Sequence, residues 1–135
     1  MRASFRLKTV VATLGLLGAA VAGQAQAQNI KFAMVIPTTA PLTQYGDMVK
    51  EGVSTAVEQI NAAGGINGKK IEVTTVDDAC EPKQGPVAAN RVVNAKIGYM
   101  IGPVCSGAAI AAAPIYDNEG VVVVTPSATS PALTE

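Results

Sequence analysis

The sequence predicts an α/β domain in which a parallel sheet is flanked by helices. Three observations carry this. Apolar runs begin near residues 30, 71, 98 and 121, stretches with helical spacing separate them, and the connections are short. Such alternation is the mark of right-handed crossovers in a parallel sheet, in the order βαβαβαβ. Ligands of open α/β sheets bind outside the carboxyl ends of the strands, so the loops that follow the four runs are where function is to be sought.

Residues 1–27 stand apart from that fold. Arg2, Arg6 and Lys8 precede an apolar stretch from Val10 to Val21, and Ala25-Gln26-Ala27 supplies a small-x-small cleavage pattern. We read a secretory signal peptide cut after Ala27. Its apolar core is shorter than the ~20 residues that span a bilayer. Residues 28–135 then form one domain, with no direct membrane insertion once the signal is removed. That part keeps seven of the ten basic residues and all ten acidic ones, a net charge of −3. A scattered, mildly acidic surface excludes nucleic acid as a partner, since that needs clustered Lys and Arg. Export also bears on Cys80 and Cys105, the only two cysteines. In an oxidising compartment an isolated pair most simply forms a disulfide. A reactive thiol at Cys105 would need a base, and the chain has no histidine.

Ile30 to Ile36 is the first strand, apolar enough after Lys31 for burial on both faces, and Pro37 stops it. Residues 38–46 read as a polar loop at its end. Residues 47–63 switch to helical period, with Val49, Val53, Ala56, Val57 and Ile60 on one stripe. Gly64-Gly65 ends that helix. The run Gly64-Gly65-Ile66-Asn67-Gly68-Lys69-Lys70 is not a phosphate loop. It follows a helix instead of opening one, and Lys70 stands where Ser or Thr is required. Ile71 to Val76 is a second, alternating strand.

Asp77-Asp78 closes the second strand. Adjacent acids at a strand end allow a metal or phosphoacceptor site, yet Pro37 ends the first strand without the further acid such a site needs. Hydrogen bonding to the loop backbone with a helix cap is the preferred reading. Pro82 suits the first turn of a helix that runs to about Lys96 with Ala89, Val92 and Val93 inward. Gly85-Pro86 weakens its start, so the helix begins as late as Pro86. Gly98 to Gly102 is a short strand. Ser106 then caps a helix with its body at residues 108–119, where Pro114 should kink or break it. Val121 to Val124 reads as a buried strand.

The two last strands deliver Gly102-Pro103-Val104-Cys105-Ser106-Gly107 and Thr125-Pro126-Ser127-Ala128-Thr129. Ser106 sits where a helix N-terminus offers free N–H groups and a positive dipole end, suited to a carboxylate. Ser127 and Thr129 offer carbonyls and a hydroxyl that fit the other end of a zwitterion. Each of the three also reads as an ordinary turn or cap residue.

Longer matches decide how to read them. Gln44-Tyr45-Gly46-Asp47, Ile60-Asn61-Ala62-Ala63-Gly64-Gly65-Ile66-Asn67-Gly68, Asp77-Asp78-Ala79-Cys80-Glu81-Pro82-Lys83-Gln84, Cys105-Ser106, Ile115-Tyr116, Glu119-Gly120 and Thr125-Pro126-Ser127-Ala128-Thr129 resemble the Leu/Ile/Val-binding proteins, the periplasmic substrate-binding components of branched-chain amino acid ABC transporters. The resemblance covers nearly all of residues 30–135. It implies a periplasmic-binding-protein type I fold with two lobes that close on an amino acid, of which this chain is part of the first. It implies that Ser106 holds the ligand carboxylate with its hydroxyl and N–H and that Thr129 is a second carboxylate ligand. The Ser127 carbonyl would accept from the ammonium, Tyr45 and Val104 would line the wall, and Cys80–Cys105 would match the family disulfide.

By the same resemblance the protein is periplasmic, is not an enzyme, needs no cofactor or metal, works as a monomer and hands its amino acid to a membrane permease. Gly107 and Ala108 replace a more hydroxyl-rich run, which leaves substrate choice open. With only the first lobe, the chain is expected to bind ligand weakly or not at all. Two other readings stand beside this one: the same scaffold taking amides, urea-like ligands or aromatic acids, and a flavodoxin-like enzyme or phosphoacceptor using Asp77 or Asp78.

Overall fold

The computed structural model describes residues 28–39 and 41–134, so the expected signal peptide lies outside the described residues. The elements follow the predicted alternation: β1 (Ile30–Ile36), α1 (Thr43–Ala62), β2 (Ile71–Asp77), α2 (Gly85–Asn94), β3 (Tyr99–Ile101), α3 (Ser106–Asn118) and β4 (Val122–Val124). A single 3-10 turn, Pro131–Leu133, follows. The strands form one sheet in the order β2-β1-β3-β4, and every pairing is parallel. Among the described residues no helix is long and apolar enough to cross a membrane.

β1 lies inside the sheet, and Ala33 through Ile36 are buried on both faces, as its continuous apolar character requires. Ala33 and Val35 face one layer with Val76, Ala88, Ala89, Val92, Met100, Ala112 and Tyr116, which is the core beneath α2 and α3. Met34 and Ile36 face the other with Val104, under Val49 and Val53 of α1. Fully burying a side chain such as Ile36 or Val92 contributes about 1.5–3 kcal/mol, so these two layers hold the sheet together.

Four expectations need correction. The helix α1 begins at Thr43, four residues earlier than its apolar stripe suggests, because Gly46 lets its first turn lie against the Pro37 carbonyl. A Cβ at position 46 would come within 2.1 Å of that oxygen. Tyr45 is thereby a helical residue, not a loop residue. The stripe itself is only half-buried, and Ala56 is exposed. Pro82 precedes α2 in a turn, and Pro86 takes the early helical place. Gly85 opens α2 for a packing reason, since a Cβ there would meet the Ala108 carbonyl oxygen at 2.4 Å.

The third concerns Pro114, where α3 continues without the local break that was one of the two expected outcomes. The fourth concerns β4. Its apolar run matches a doubly covered strand, yet Val122, Val123 and Val124 are 55%, 38% and 58% exposed. β4 is the edge strand of the described sheet, paired only with β3, and α1 packs over β1 and β2.

Candidate functional site

All four strands point the same way, so the loops after Ile36, Asp77, Ile101 and Val124 gather on one edge of the sheet. Cys105 occupies the N-cap of α3 in extended conformation, and Ser106 is the first helical residue. Ser106 therefore does not cap the helix as expected, because the extended turn closes one residue earlier. Its hydroxyl oxygen faces the next loop and accepts the backbone N–H groups of Thr129 at 3.1 Å and Ser130 at 3.3 Å. The first-turn N–H groups of α3 have no intrahelical acceptor, as at any helix start. They lie beside that hydroxyl.

The loop after β4 is sewn to the loop after β3 by two further bonds, and a third braces it internally. The Thr125 hydroxyl donates to the Pro103 carbonyl at 2.8 Å and accepts the Ala128 N–H at 2.9 Å. The Ser127 hydroxyl donates to the Val104 carbonyl at 2.9 Å. These bonds leave the Ser127 carbonyl free of that work. Thr125 was not singled out by sequence reasoning for a role of its own. Its place directly before Pro126, at a strand end, was the available signal.

Of the residues expected to line a wall, Tyr45 is 49% exposed on the first turn of α1. Val104 is 5% exposed, with its side chain in the layer of Met34 and Ile36, so what it offers the loops is its carbonyl. Gly107 has a structural cause: a Cβ there would lie 2.9 Å from Pro82 Cγ.

Cys80 and Cys105 are joined in a disulfide with their Cα atoms 5.3 Å apart. The bond ties the start of α3 to the loop after β2. In that loop Ala79 and Cys80 both adopt left-handed backbone, with φ of 49° and 58°, which non-glycine residues resist. Two carboxylates support it. Asp77 Oδ1 accepts the Ala79 N–H at 2.9 Å, and Asp78 Oδ1 accepts the Cys80 N–H at 3.0 Å.

Asp77 also reaches the loop after β1, accepting the Thr38 N–H at 2.8 Å on Oδ1 and the Thr39 hydroxyl at 2.8 Å on Oδ2. Both its oxygens are engaged, and Asp78 is fully buried, so neither acid is presented as a phosphoacceptor. Among the described residues no group of three acids or cysteines is placed to hold a metal ion.

Burial alone would raise the Asp77 carboxyl, but the bonds from Thr38, Ala79 and Thr39 outweigh it and hold it below the ordinary aspartate range. A carboxyl lowered by folding adds stability that is present above the unfolded value of about 4 and fades as pH falls through the folded value. The thermal midpoint should therefore drop below about pH 4 more steeply for the wild type than for Asp77→Asn. Parallel melts between neutral and acidic pH check this, and equal slopes would remove Asp77 from the account.

The sequence and the fold have known relatives. Residues 29–135 fit the sequence profile of a family described as periplasmic binding protein. The chain belongs to that family. It is 46% identical over 129 residues to the leucine-, isoleucine-, valine-, threonine-, and alanine-binding protein of Pseudomonas aeruginosa, covering 96% of this chain and 34% of that one. It is 45% identical over 120 residues to the Leu/Ile/Val-binding protein of Escherichia coli K12, covering 89% and 33%. The fold is similar to the branched-chain amino acid transporter substrate binding protein LivJ from Streptococcus pneumoniae in complex with isoleucine. There the TM-score is 0.73 at 38% identity, over 78% of this chain and 31% of that one. The chain thus spans about a third of the length of the curated relatives it matches.

Proposed function

We propose that this chain forms the first, ligand-gripping lobe of a periplasmic solute-binding protein that captures branched-chain amino acids for an ABC transporter permease. The observation that carries the reading is the convergence on Ser106. Its hydroxyl oxygen stands in as acceptor for two N–H groups of the loop after β4, beside the open N–H groups of α3. A carboxylate placed there replaces one acceptor with a charged one. Thr129 and Ser130 N–H groups turn to it, the Ser106 hydroxyl becomes free to donate, and the helix dipole favours the negative charge.

The ammonium of the same zwitterion falls to the Ser127 carbonyl, and Tyr45 borders the space the side chain enters. Nothing in this scheme makes or breaks a covalent bond, so the protein acts by binding. The exported, periplasmic location and a monomeric working state belong to the same proposal.

The test uses the isotope-labelled chain and nuclear magnetic resonance. L-leucine should shift the amide signals of Ser106, Gly107, Ala108, Thr129 and Ser130, and leucinamide, which lacks the carboxylate, should not. The chain spans about a third of its relatives' length, so the affinity of this chain tested alone is expected near or weaker than a Kd of about 1 mM, roughly −4 kcal/mol. Ser106→Ala should abolish the shifts while leaving the fold intact. Equal shifts with leucinamide, or leucine shifts that survive Ser106→Ala, would overturn the reading.

A further inference from the structure

Two polar atoms of the layer beneath α2 and α3 have no hydrogen-bond partner among the described residues: Asp78 Oδ2 and Tyr116 Oη. Asp78 is fully buried and Tyr116 is 3% exposed. Asp78 follows β2 two residues after Val76, and alternation along an extended chain puts their side chains on the same side of the sheet. Val76 and Tyr116 belong to one apolar cluster. The two unpartnered atoms thus share a layer otherwise made of Ala, Val, Ile and Met side chains. Their electrostatics agree: burial raises the Asp78 carboxyl, and Tyr116 is raised to beyond its ordinary range by burial and, secondarily, by the charge on Asp78.

Buried polar groups are almost always paired, with protein or with an ordered water. The two atoms do not hydrogen-bond to each other. We propose that a single internal water molecule bridges Asp78 Oδ2 and Tyr116 Oη, a hydration site that links the disulfide loop to the third turn of α3. Water suits this place because it both donates and accepts. With Asp78 ionised, the tyrosine hydroxyl donates to the water and the water donates to the carboxylate. With Asp78 protonated, the acid donates to the water and the water donates to the phenol oxygen. The link survives either state of the acid.

The experiment is a crystal structure of the chain together with a double-mutant cycle. Density for one water within hydrogen-bond distance of both atoms is the expected result, lost in Tyr116→Phe. A direct bond between Oδ2 and Oη, or a dry gap, overturns the proposal. In thermal melts, Asp78→Asn and Tyr116→Phe should be coupled, with the double variant melting no lower than the weaker of the two singles. Midpoint shifts that simply add would overturn it independently. The cycle reads stability without ligand, so its outcome stands apart from whether leucine binds.

Discussion

Alanine at position 102 is expected to leave the chain largely unfolded. Gly102 follows β3 with φ of +114°, where a side chain strains the backbone by about 1–3 kcal/mol. The added Cβ would also lie 2.0 Å from the Val35 carbonyl oxygen. Val35 belongs to β1, paired with β2 on one side and β3 on the other, so that oxygen cannot retreat without breaking the sheet. Overpacking costs a further ~1–3 kcal/mol.

Together these approach the ~5–15 kcal/mol that holds a small domain folded. Two other glycines separate the causes. At Gly64, φ is +107° with nothing near, so alanine there should show backbone strain alone. At Gly98 neither strain nor contact exists, and alanine should be nearly silent. Urea denaturation of the three variants should rank them in that order. A Gly102→Ala variant as stable as Gly64→Ala would show that the contact with Val35 does not matter.

The order of elements was legible because each strand and helix carries its own periodicity. β1 reads as doubly buried and is. What failed were places where a second segment decides the outcome. Nothing in residues 43–46 advertises a helix start, since Gly46 serves a contact with Pro37 that is distant from any local pattern. The four valines from Val121 look like buried strand, but burial depends on what packs around them, and Val122 to Val124 form the exposed edge strand of the described sheet.

Ser106 and the loop after β4 were picked out as candidates from residue type and strand-end position, and the structure brings them together. That Ser106 accepts from Thr129 and Ser130 and does not cap its own helix could not be read, because it follows from how two strand ends meet. Asp77 was assigned to loop hydrogen bonding correctly, but the helix cap expected with it is absent, since the N-cap of α2 is Gln84 with no side-chain cap bond. The reach of Asp77 into the loop after β1 needs the β1–β2 pairing that brings Ile36 beside it.

Removing the disulfide should cost both stability and the grip at Ser106. Cys80 and Cys105 are 25 residues apart in sequence, and closing a loop of that size is worth about 3 kcal/mol in the chain-entropy model. Replacing both by serine should therefore lower the unfolding free energy by roughly that amount. The loss has a local side as well. Ala79 and Cys80 hold left-handed backbone supported by Asp77, Asp78 and the cross-link to Cys105.

Without the cross-link that loop relaxes toward ordinary backbone, and Cys105 at the N-cap of α3 loses its tether. Ser106 is the next residue, so the first-turn N–H groups should spread over more orientations. Leucine-dependent shifts at Ser106 to Ala108 should weaken in the double variant even where the sheet remains folded, whereas those at Thr129 should persist longer, because Thr125 and Ser127 still bind the carbonyls of Pro103 and Val104. Uniform weakening at both loops would mean that the cross-link acts on global stability alone and does not position Ser106.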